Sequence, residues 1–418
     1  MAMTLAEKIL ARKALKKEVA PGELVTVAVD HTMTYDLFCP SVVEAFKEMG
    51  FKQVWNPNKI AIIFDHLVPA KNAKEVEHFK VSLAFARAQG ITKVHQHDGI
   101  CHQLLFEKGY SRPGDVILGT DSHTVTTGGV GAFATGIGYT EMASIWGTGE
   151  IWLKVPETLR FEIEGELAPG VSAKDLILKI IGDIGHAGAT YKAMEFGGTL
   201  IGRLSVAQRL TIANMSVEAG AKAGLMAPDE KVLEHYRELG ITDFPMLRPD
   251  PDAAYRSVSR YDASKLVPMV SCSPAVDNVM PLFEVAGEEV RKAFLGSCTN
   301  GRLEDIEMAA SLVRGKKIHP KVEMIVTPAS RTIYQQAIQS GAVAALVEAG
   351  AYVTVPACGL CSGINGGVVA DGDTIISSNN RNFLGRMGGP TARVILASPA
   401  SVAVSALAGK VVDPREYL

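Results

Sequence analysis

The chain has 418 residues, of which 47% are hydrophobic and 21% are charged, and its formal net charge is −3 at pH 7. This length exceeds what a single ordinary hydrophobic core supports, so we expect a compact globular protein of two or three domains. The near-neutral charge argues against nucleic acid or an anionic membrane surface as the partner, and no apolar run approaches the roughly 20 residues of a membrane-spanning helix.

The N-terminal residues and the cysteines bear on the cellular compartment in which the protein is expected. Residues 1–10 mix charged and apolar side chains and lack the apolar core of a signal peptide. Six cysteines in a chain of this length do not form the dense pattern of a disulfide framework. We therefore expect a cytoplasmic protein whose thiols stay reduced.

Strands alternate with helices through the first third of the chain. The hydrophobic pattern predicts strands at 24–29, 60–64 and 116–119, and helices at 5–20, 41–49 and 73–89. Such alternation is typical of a mostly parallel sheet that is covered by helices on both faces.

Polar residues follow each of these three strands. They are Asp30 and His31, then Asp65 and His66, and then residues 120–123, which include Asp121, Ser122 and His123. Because the carboxyl ends of parallel strands meet at one edge of a sheet, we expect the three groups to lie at one cleft.

The stretch 128–138 is rich in glycine. It contains neither a GxGxxG pattern nor a Walker pattern, so it does not indicate a nucleotide site. Glycines also permit tight turns and a close approach of neighbouring backbone, and we adopt that interpretation here.

The pattern changes twice farther along the chain. A new unit begins near residue 153, and the strand and helix alternation restarts near residue 285, after a proline-rich stretch that is typical of a linker. The elements predicted here are a strand at 159–165, helices at 172–184 and 205–223, the linker at 243–252, strands at 324–326 and 352–355, and a helix at 330–349. We therefore predict three domains, at 1–152, 153–284 and 285–418.

Three cysteines form a pattern that suits a metal centre. Cys358 and Cys361 have CxxC spacing after the predicted strand 352–355, and Cys298 lies in an earlier turn between glycines. Three thiolates leave one coordination position open for substrate or water, whereas structural zinc sites and electron-transfer clusters take four protein ligands. The pattern predicts a catalytic centre; a redox dithiol and buried structural cysteines are the alternatives.

Four motifs together resemble a known family. They are TDSHT at 120–124, GSCTNGRLEDI at 296–306, CGLCSG at 358–363 and SNNRNFLGR at 378–386. In this order they resemble the large chain of the two-subunit dehydratases of the aconitase superfamily, and the resemblance covers essentially the whole chain. It implies an α/β fold in which three α/β/α domains with mostly parallel sheets surround a central cleft.

The resemblance also implies a ligand set and residue roles. Cys298, Cys358 and Cys361 are expected to hold three irons of a [4Fe-4S] cluster whose fourth iron has no protein ligand. The expected catalytic residues are Asp65, His66, His102, Asp121, His123 and Glu195, and the expected substrate-binding residues are Ser122, Arg381 and Arg386. Carboxylate and imidazole pairs suit acid–base work because each partner sets the proton affinity of the other, and an arginine fork binds a carboxylate through two hydrogen bonds.

The reaction implied by the resemblance is the reversible dehydration or isomerisation of a 2-hydroxy dicarboxylic or tricarboxylic acid. Isopropylmalate is the first choice of substrate, and homocitrate and dimethylmalate are close alternatives, because the large chains of these enzymes look much alike. Leu360 and Ser362 stand where many relatives have a proline and a bulky apolar residue, which bears on the choice of substrate. The family's catalytic base is a serine on a swivelling domain, which belongs to a small partner chain in the two-chain enzymes, so we expect a heterodimer or heterotetramer.

Two other classes of protein compete with this interpretation. A zinc hydrolase could use the three cysteines and nearby histidines, and it would contain zinc without acid-labile sulfide. A cluster-free form could bind RNA instead. The near-neutral charge argues against RNA, and salt-dependent RNA binding would be needed to support it.

Overall fold

A computed structural model describes residues 2–418. The described residues form thirteen α-helices: α1 Leu5–Lys13, α2 Cys39–Glu48, α3 Ala73–Gln89, α4 Cys101–Glu107, α5 Tyr139–Thr148, α6 Ala173–Ile184, α7 Thr199–Arg203, α8 Val206–Met215, α9 Glu230–Glu238, α10 Leu303–Val313, α11 Arg331–Gln339, α12 Ala342–Ala349 and α13 Pro399–Ala408. In the same residues no helix is long and apolar enough to cross a membrane.

The same part of the chain contains eighteen β-strands. They are β1 Leu24–Ala28, β2 His31–Tyr35, β3 Ile60–Ile63, β4 Lys93–His95, β5 Val116–Gly119, β6 Phe133–Gly136, β7 Glu150–Lys154, β8 Thr158–Glu164, β9 Ala193–Gly197, β10 Ala223–Met226, β11 Ser257–Asp262, β12 Met269–Cys272, β13 Val279–Pro281, β14 Lys292–Leu295, β15 Glu323–Val326, β16 Tyr352–Val353, β17 Thr374–Ser377 and β18 Arg393–Leu396. They form sheets of five, four, seven and two strands.

The chain divides into two compact units. The first contains residues up to 96, 101–163 and 189–261, and the second contains 97–100, 164–188 and 262–418. Each unit is therefore assembled from separated stretches of sequence. The division into three domains stays a prediction.

The first unit contains the predicted parallel sheet. Its five strands have the order β4-β3-β2-β5-β6, and every neighbouring pair is parallel. A four-stranded sheet has the order β10-β9-β8-β11, in which β9 is parallel to both β8 and β10. The short apolar runs at 60–63 and 116–119 are fully buried in the five-stranded sheet, as its strands must be when both faces are covered.

Helix α1 contributes to the core of the first unit. Thr4 and Glu7 form a capping box at its start, which satisfies otherwise unpaired backbone N–H groups. Leu5, Ile9 and Leu10 are buried in one cluster that also contains side chains of β1, β5 and β6. The helix ends at Lys13, earlier than the predicted residue 20.

The strand predicted at 24–29 differs from the expectation. β1 alternates exposed and buried residues and pairs antiparallel with β7 in a separate two-stranded sheet. Asp30 consequently precedes the parallel strand β2 and His31 begins it, so neither residue follows a strand of that sheet. The prediction that they lie with the other two polar groups at the carboxyl edge was wrong, because β1 finds its partner more than a hundred residues away and not in the main sheet.

The glycine-rich stretch packs closely against its surroundings. A β-carbon on Gly128 would lie 1.8 Å from the carbonyl oxygen of Gly224, and one on Gly129 would lie 2.9 Å from the backbone of Arg209. Real side chains do not tolerate such distances. This observation supports the packing interpretation of residues 128–138.

The second unit contains the seven-stranded sheet, of order β13-β12-β18-β17-β14-β15-β16. Strands β14 to β18 are parallel to their neighbours, and β12 and β13 add antiparallel strands at one edge. This sheet therefore begins before residue 285, the predicted start of the third domain. The helix predicted at 330–349 is two helices, α11 and α12, since Gly341 between them has a left-handed backbone.

Candidate active site

Three carboxylates lie beyond the carboxyl ends of adjacent strands in the first unit. Asp36 follows β2, Asp65 follows β3 and Asp121 follows β5. Asp36 and Asp65 are fully buried. Sequence analysis missed Asp36, because the predicted strand in that region ended at residue 29.

Asp65 and Asp36 hold His66 in a fixed orientation. The Asp65 Oδ1 to His66 Nδ1 distance is 2.7 Å, and Asp36 accepts hydrogen bonds from the backbone N–H groups of His66 and Leu67. Asp65 Oδ2 accepts the Cys101 N–H at 2.8 Å, at the first residue of α4. Burial and the neighbouring Asp65 raise the pKa of Asp36 to about 6.

The ring of His66 is surrounded by negative charge. Its Nε2 lies 4.0 Å from Asp121 Oδ2. Burial alone would lower the pKa of His66, but the carboxylates of Asp65, Asp121 and Asp36 raise it to about 9. His66 is therefore an imidazolium near neutral pH, and its charge offsets that of the carboxylates.

The raised pKa of His66 predicts a pH dependence of stability. A histidine whose pKa is raised on folding stabilises the folded state fully below its unfolded pKa of about 6.5, and this contribution is lost as the pH rises through about 9. We expect the difference in unfolding free energy between the natural protein and His66→Gln to shrink over this interval. Urea titrations at several pH values would measure it, and a difference that stays constant would contradict the charged assignment.

Asp121 connects two further histidines. Its Oδ1 lies 2.8 Å from His102 Nε2 and also accepts the His123 N–H at 2.8 Å, so that it caps the short 3-10 helix Ser122–Val130. Although burial alone would raise the pKa of this carboxyl, His102 and His123 hold it well below its usual range. A carboxylate that is ionised at neutral pH thus lies between the two rings.

His102 has one nitrogen available for chemistry. Its Nδ1 is buried and has no hydrogen-bond partner among residues 2–418. Because the Asp121 carboxylate only accepts, His102 Nε2 carries a hydrogen, and Nδ1 can accept a proton or, once protonated, donate one. A buried polar atom without a partner is costly, so this nitrogen is suited to meet a ligand or water.

Glu218 joins the group, although sequence analysis missed it. Its Oε1 lies 2.6 Å from His123 Nε2. Glu218 lies just beyond α8, which ends at Met215, earlier than the helix predicted at 205–223. Asn214 donates to Thr126 and lies four residues before Glu218. Two polar residues with i, i+4 spacing in a mainly apolar stretch are the signal that could have identified this face.

Glu195 lies in a different environment from the other predicted catalytic residues. It is fully buried on β9, where it accepts hydrogen bonds from the Leu5 N–H at 2.9 Å, from Arg160 at 2.7 Å and from the Tyr255 hydroxyl at 2.8 Å. Burial raises its pKa, while Leu5 and Arg160 oppose that shift. These contacts connect α1 to the four-stranded sheet, and none of them is to a predicted histidine, so the catalytic role of Glu195 stays a prediction.

The three predicted ligand cysteines are buried in the second unit. Cys298 follows β14, and Cys358 and Cys361 lie in the loop after β16, where residues 359–362 form a short 3-10 helix. Gly359 has a φ of +63° and a β-carbon there would lie 2.9 Å from Thr327 Oγ1, so glycine is required at this point of the CxxC loop. None of the six cysteines is in a disulfide.

Asn380 lies between two of the sulfur atoms. Its Nδ2 donates to Cys298 Sγ at 3.4 Å, and its Oδ1 accepts from the Cys361 thiol at 3.5 Å. The neighbouring Asn379 lies 3.8 Å from Cys361 Sγ. The SNNRNFLGR segment therefore brings Cys298 and Cys361 to one place, although they are far apart in sequence.

Three cationic side chains hold the loops of this site through carbonyl groups. Lys174 donates to Ser378 O at 2.8 Å and to Asn379 O at 2.5 Å. Arg302 donates to the carbonyls of Cys298 and Thr299, both at 2.8 Å. Arg386 donates to Cys361 O at 2.9 Å, and its Nη2 lies 3.8 Å from Cys361 Sγ.

Burial makes two of these cations unusual. Lys174 is fully buried and Arg302 nearly so. Burial lowers the pKa of Lys174 to about 7, while Cys361, Cys298, Asp305 and Asp175 act in the opposite direction. Buried cations of this kind need nearby negative charge, and cysteine thiolates would provide it.

The remaining residues predicted to bind substrate, Arg381 and Ser122, are both half-buried. Arg381 is half-buried in the same segment as Asn380. In the first unit, Ser122 is half-buried and its hydroxyl lies 3.5 Å from His123 Nδ1. Sequence analysis thus found residues of both groups, one of acids and imidazoles and one of thiols and cations.

The three cysteines and the side chains around them fit an iron–sulfur centre. Soft thiolates are the usual ligands of such clusters, and hydrogen-bond donors to sulfur, such as the Asn380 amide, tune them. The positive charges of Lys174, Arg302 and Arg386 would offset the negative charge of a thiolate-ligated cluster. The donor set and its surroundings are therefore compatible with the predicted [4Fe-4S] group.

Comparison with protein families places the chain in a known one. The profile of the aconitase family (aconitate hydratase) matches residues 7–288 and 283–409. These two segments span nearly the whole sequence. The chain therefore belongs to the aconitase family, and the resemblance inferred from the four motifs is confirmed.

Curated relatives match the chain along its full length. The 3-isopropylmalate dehydratase large subunit 1 of Methanopyrus kandleri is 46% identical over 419 residues, which cover 100% of both chains. The corresponding large subunit of Aquifex aeolicus is 46% identical and covers 98% of that protein and 100% of this one. A probable methanogen homoaconitase large subunit of Methanothermobacter thermautotrophicus is also 46% identical, over 99% of this chain and 98% of its own.

A solved structure supports the predicted α/β fold. The holo-form of aconitase X from Thermococcus kodakaraensis matches 85% of this chain and 84% of its own, with a TM-score of 0.51. The sequences are 11% identical, so this likeness concerns the fold alone. Together with the parallel sheets of both units, it confirms the aconitase-like α/β class.

Proposed function

We propose that this protein is the large chain of a two-chain hydro-lyase that reversibly dehydrates a 2-hydroxy dicarboxylic acid, with 3-isopropylmalate as the substrate. The full-length match to a 3-isopropylmalate dehydratase large subunit at 46% identity is the observation that carries this proposal. A homoaconitase large subunit matches at the same identity, so identity alone does not distinguish the two substrates.

We infer that Cys298, Cys358 and Cys361 hold a [4Fe-4S] cluster whose fourth iron has no protein ligand. When bound, such a cluster supplies a Lewis acid toward a substrate hydroxyl, which makes hydroxide a feasible leaving group. The protein contributes the buried thiols, the amide of Asn380 and the guanidinium groups of Arg302 and Arg386 around them. These features favour an anionic, water-poor centre.

The acid–base residues of the first unit have a matching role. We assign His102 as the group that donates a proton from Nδ1 to the departing hydroxyl, so that the hydroxyl leaves as water. Asp121, at 2.8 Å from Nε2, would stabilise the protonated ring before transfer. His123 and Glu218 would hold Asp121 and its loop in place. The substrate carboxylates would be bound by Ser122, Arg381 and Arg386.

Elimination also requires removal of a C–H proton, and we infer that a small partner chain supplies that base. The relatives' names describe large subunits, which supports a second chain. Closure of the partner would exclude water from the reacting groups. We expect the isolated large chain to be inactive, and the oxygen sensitivity of such a cluster agrees with a reducing, cytoplasmic setting.

The direct test is anaerobic turnover by the iron-loaded chain mixed with its small partner from the same source. The substrates would be 3-isopropylmalate, 2,3-dimethylmalate, homocitrate and citrate, and formation of the unsaturated acid would be followed by absorbance. We expect selective turnover of 3-isopropylmalate. Selective turnover of homocitrate or dimethylmalate would replace the substrate assignment, and no turnover by a complex with an intact cluster would reject the reaction class.

Glu218 and Glu195, both buried, provide a matched pair of variants. We expect Glu218→Gln to lower kcat at least tenfold, because it weakens the support of His123, while cluster absorption and stability change little. Glu195→Gln is expected instead to lower the unfolding free energy by about 2 kcal/mol with little change in kcat, since its contacts are structural. Kinetics and urea unfolding of both variants would check this, and the reverse pattern would restore Glu195 to the catalytic group.

A further inference from the structure

A strongly basic cavity lies at the amino ends of the strands whose carboxyl ends carry the acid–base group. It has a volume of about 540 Å³ and is formed entirely by the first unit. His31 begins β2, Lys93 begins β4, and Lys59 immediately precedes β3. The cavity is therefore at the opposite edge of the five-stranded sheet from Asp65 and Asp121.

Cationic side chains outnumber carboxylates in this cavity. Its six cations are Arg12, Lys13, Lys59, Lys93, Lys108 and Arg112, and its three carboxylates are Asp30, Asp115 and Asp243. The whole chain has a net charge of −3, so this accumulation does not reflect a generally basic protein. Concave regions of one charge sign concentrate ligands of the opposite sign.

Only one of the cations is neutralised by a carboxylate. Lys13 Nζ lies 2.6 Å from Asp30 Oδ1 and 3.6 Å from Asp115 Oδ1. Burial and the nearby Asp30 raise the pKa of Asp115 to about 7, which reduces the negative charge of the cavity further. For the other five cations, no carboxylate oxygen among residues 2–418 lies within 4.0 Å.

Neighbouring cations repel one another around Lys93. Lys93 Nζ lies 2.9 Å from His31 Nε2 and donates to the Asn58 carbonyl at 2.5 Å. Burial lowers the pKa of Lys93, and Arg112 and Lys59 lower it further. Burial and Lys93 likewise lower the pKa of His31 to about 3. Both acceptors of Lys93 are uncharged, so they do not offset the neighbouring cations, whereas a bound anion would.

We propose that this cavity is a binding site for a small molecule with two or more phosphoryl groups. Adjacent phosphoryl groups combine several negative charges in a small volume, which matches five unpaired cations better than a single carboxylate does. The cavity is concave and of the size of small-molecule sites, which favours a small ligand over a macromolecule. The inference does not depend on the proposed hydro-lyase activity.

The Tyr110 ring in the cavity is already engaged. Tyr110 and His31 are stacked, with ring centres 5.1 Å apart and an angle of 5° between the planes, and Lys93 lies over the Tyr110 ring. Phe244, the other aromatic ring of the cavity, packs edge-to-face against Tyr236 with ring centres 5.2 Å apart. A nucleotide base would therefore gain little stacking at either ring. We expect inorganic pyrophosphate and ADP to bind with similar affinity, because the phosphoryl groups are what the cavity recognises.

Isothermal titration of the full chain with pyrophosphate, ADP and citrate at two ionic strengths tests the proposal. We expect one saturable site for pyrophosphate that weakens with salt, as charge-dominated binding does. Lys59→Glu and Lys108→Glu should each weaken binding roughly tenfold or more, since each removes an attraction and adds a repulsion. Lys74→Glu is the control, because Lys74 is an exposed lysine of the same unit outside the cavity.

Two results would overturn the proposal. One is the absence of saturable pyrophosphate binding by the folded natural chain, and the other is a loss of binding in Lys74→Glu equal to that in the cavity variants. Tighter variant-sensitive binding of citrate than of pyrophosphate would reject the phosphoryl class, and much tighter binding of ADP would reject recognition by phosphoryl groups alone. Circular dichroism of each variant would confirm folding, and Lys59→Met would replace Lys59→Glu if that variant failed to fold.

Discussion

Replacing Cys361 by alanine is expected to abolish the iron–sulfur absorption and the hydro-lyase activity together. Cys361 is the most buried of the three predicted ligands, and its sulfur lies 3.5 Å from Asn380 Oδ1 and 3.8 Å from Arg386 Nη2. Removing one of three thiolates leaves too few ligands for a stable cluster, and the buried cations lose the charge that offsets them. Visible absorption, iron content and acid-labile sulfide of the anaerobically reconstituted chain would measure the loss.

Cys272→Ala is the matched control. Cys272 is a buried cysteine of the same unit, on β12, and is not one of the predicted ligands. It should keep a full cluster and normal turnover, with only the modest destabilisation expected from a small cavity. An intact active cluster in Cys361→Ala would reject the ligand assignment. Zinc without acid-labile sulfide in the natural protein would support the hydrolase alternative instead.

Local sequence patterns were sufficient to place polar side chains that directly follow a short apolar strand. The runs at 60–63 and 116–119 are buried strands, and Asp65 and Asp121 lie just beyond them as expected. The reason is that apolar runs bounded by polar residues specify buried parallel strands, whose carboxyl ends share one edge. The CxxC spacing of Cys358 and Cys361 and the glycine between them are equally local.

At residues 24–31 the prediction from local pattern was wrong, because the strand there pairs with a distant part of the chain. Nothing in the run 24–29 shows that it pairs antiparallel with β7 instead of joining the main sheet. The error exchanged two aspartates, since Asp36 holds the edge position that was assigned to Asp30. It also concealed the basic cavity, because His31 was assigned to the opposite edge of the sheet.

The charges around the thiols are also a product of the tertiary structure. Lys174 reaches the carbonyls of Ser378 and Asn379 from more than two hundred residues away. In sequence it is an ordinary polar residue of α6, and most lysines in folded proteins are exposed. Only the packing of α6 shows that this lysine is buried near Cys298 and Cys361. Likewise, nothing in the sequence distinguishes the roles of Glu195 and Glu218. Only the structure shows that Glu218 contacts His123, whereas Glu195 contacts Leu5 and Arg160.

Asp121→Asn is expected to lower kcat by roughly 10²- to 10⁴-fold, the range typical of a lost general acid–base partner. The amide preserves the shape of the side chain but removes the charge between His102 and His123, at 2.8 Å from His102 Nε2. His102 Nε2 would then face an amide that can donate as well as accept, so the ring could present either tautomer. Steady-state kinetics of the reconstituted two-chain enzyme, with cluster content measured in the same sample, would isolate this effect.

Asp262→Asn controls for the capping role of Asp121. Asp262 caps a short 3-10 helix in the same way, accepting the Ser264 N–H at 3.1 Å, but it is exposed and contacts no histidine. If capping were the only function of Asp121, both variants would lower stability slightly and leave kcat unchanged. We expect only Asp121→Asn to affect turnover. The proposed cluster ligands belong to the other compact unit. An unchanged cluster spectrum in Asp121→Asn would therefore assign the loss of turnover to proton transfer, whereas loss of the cluster would show that Asp121 acts mainly by holding the protein together.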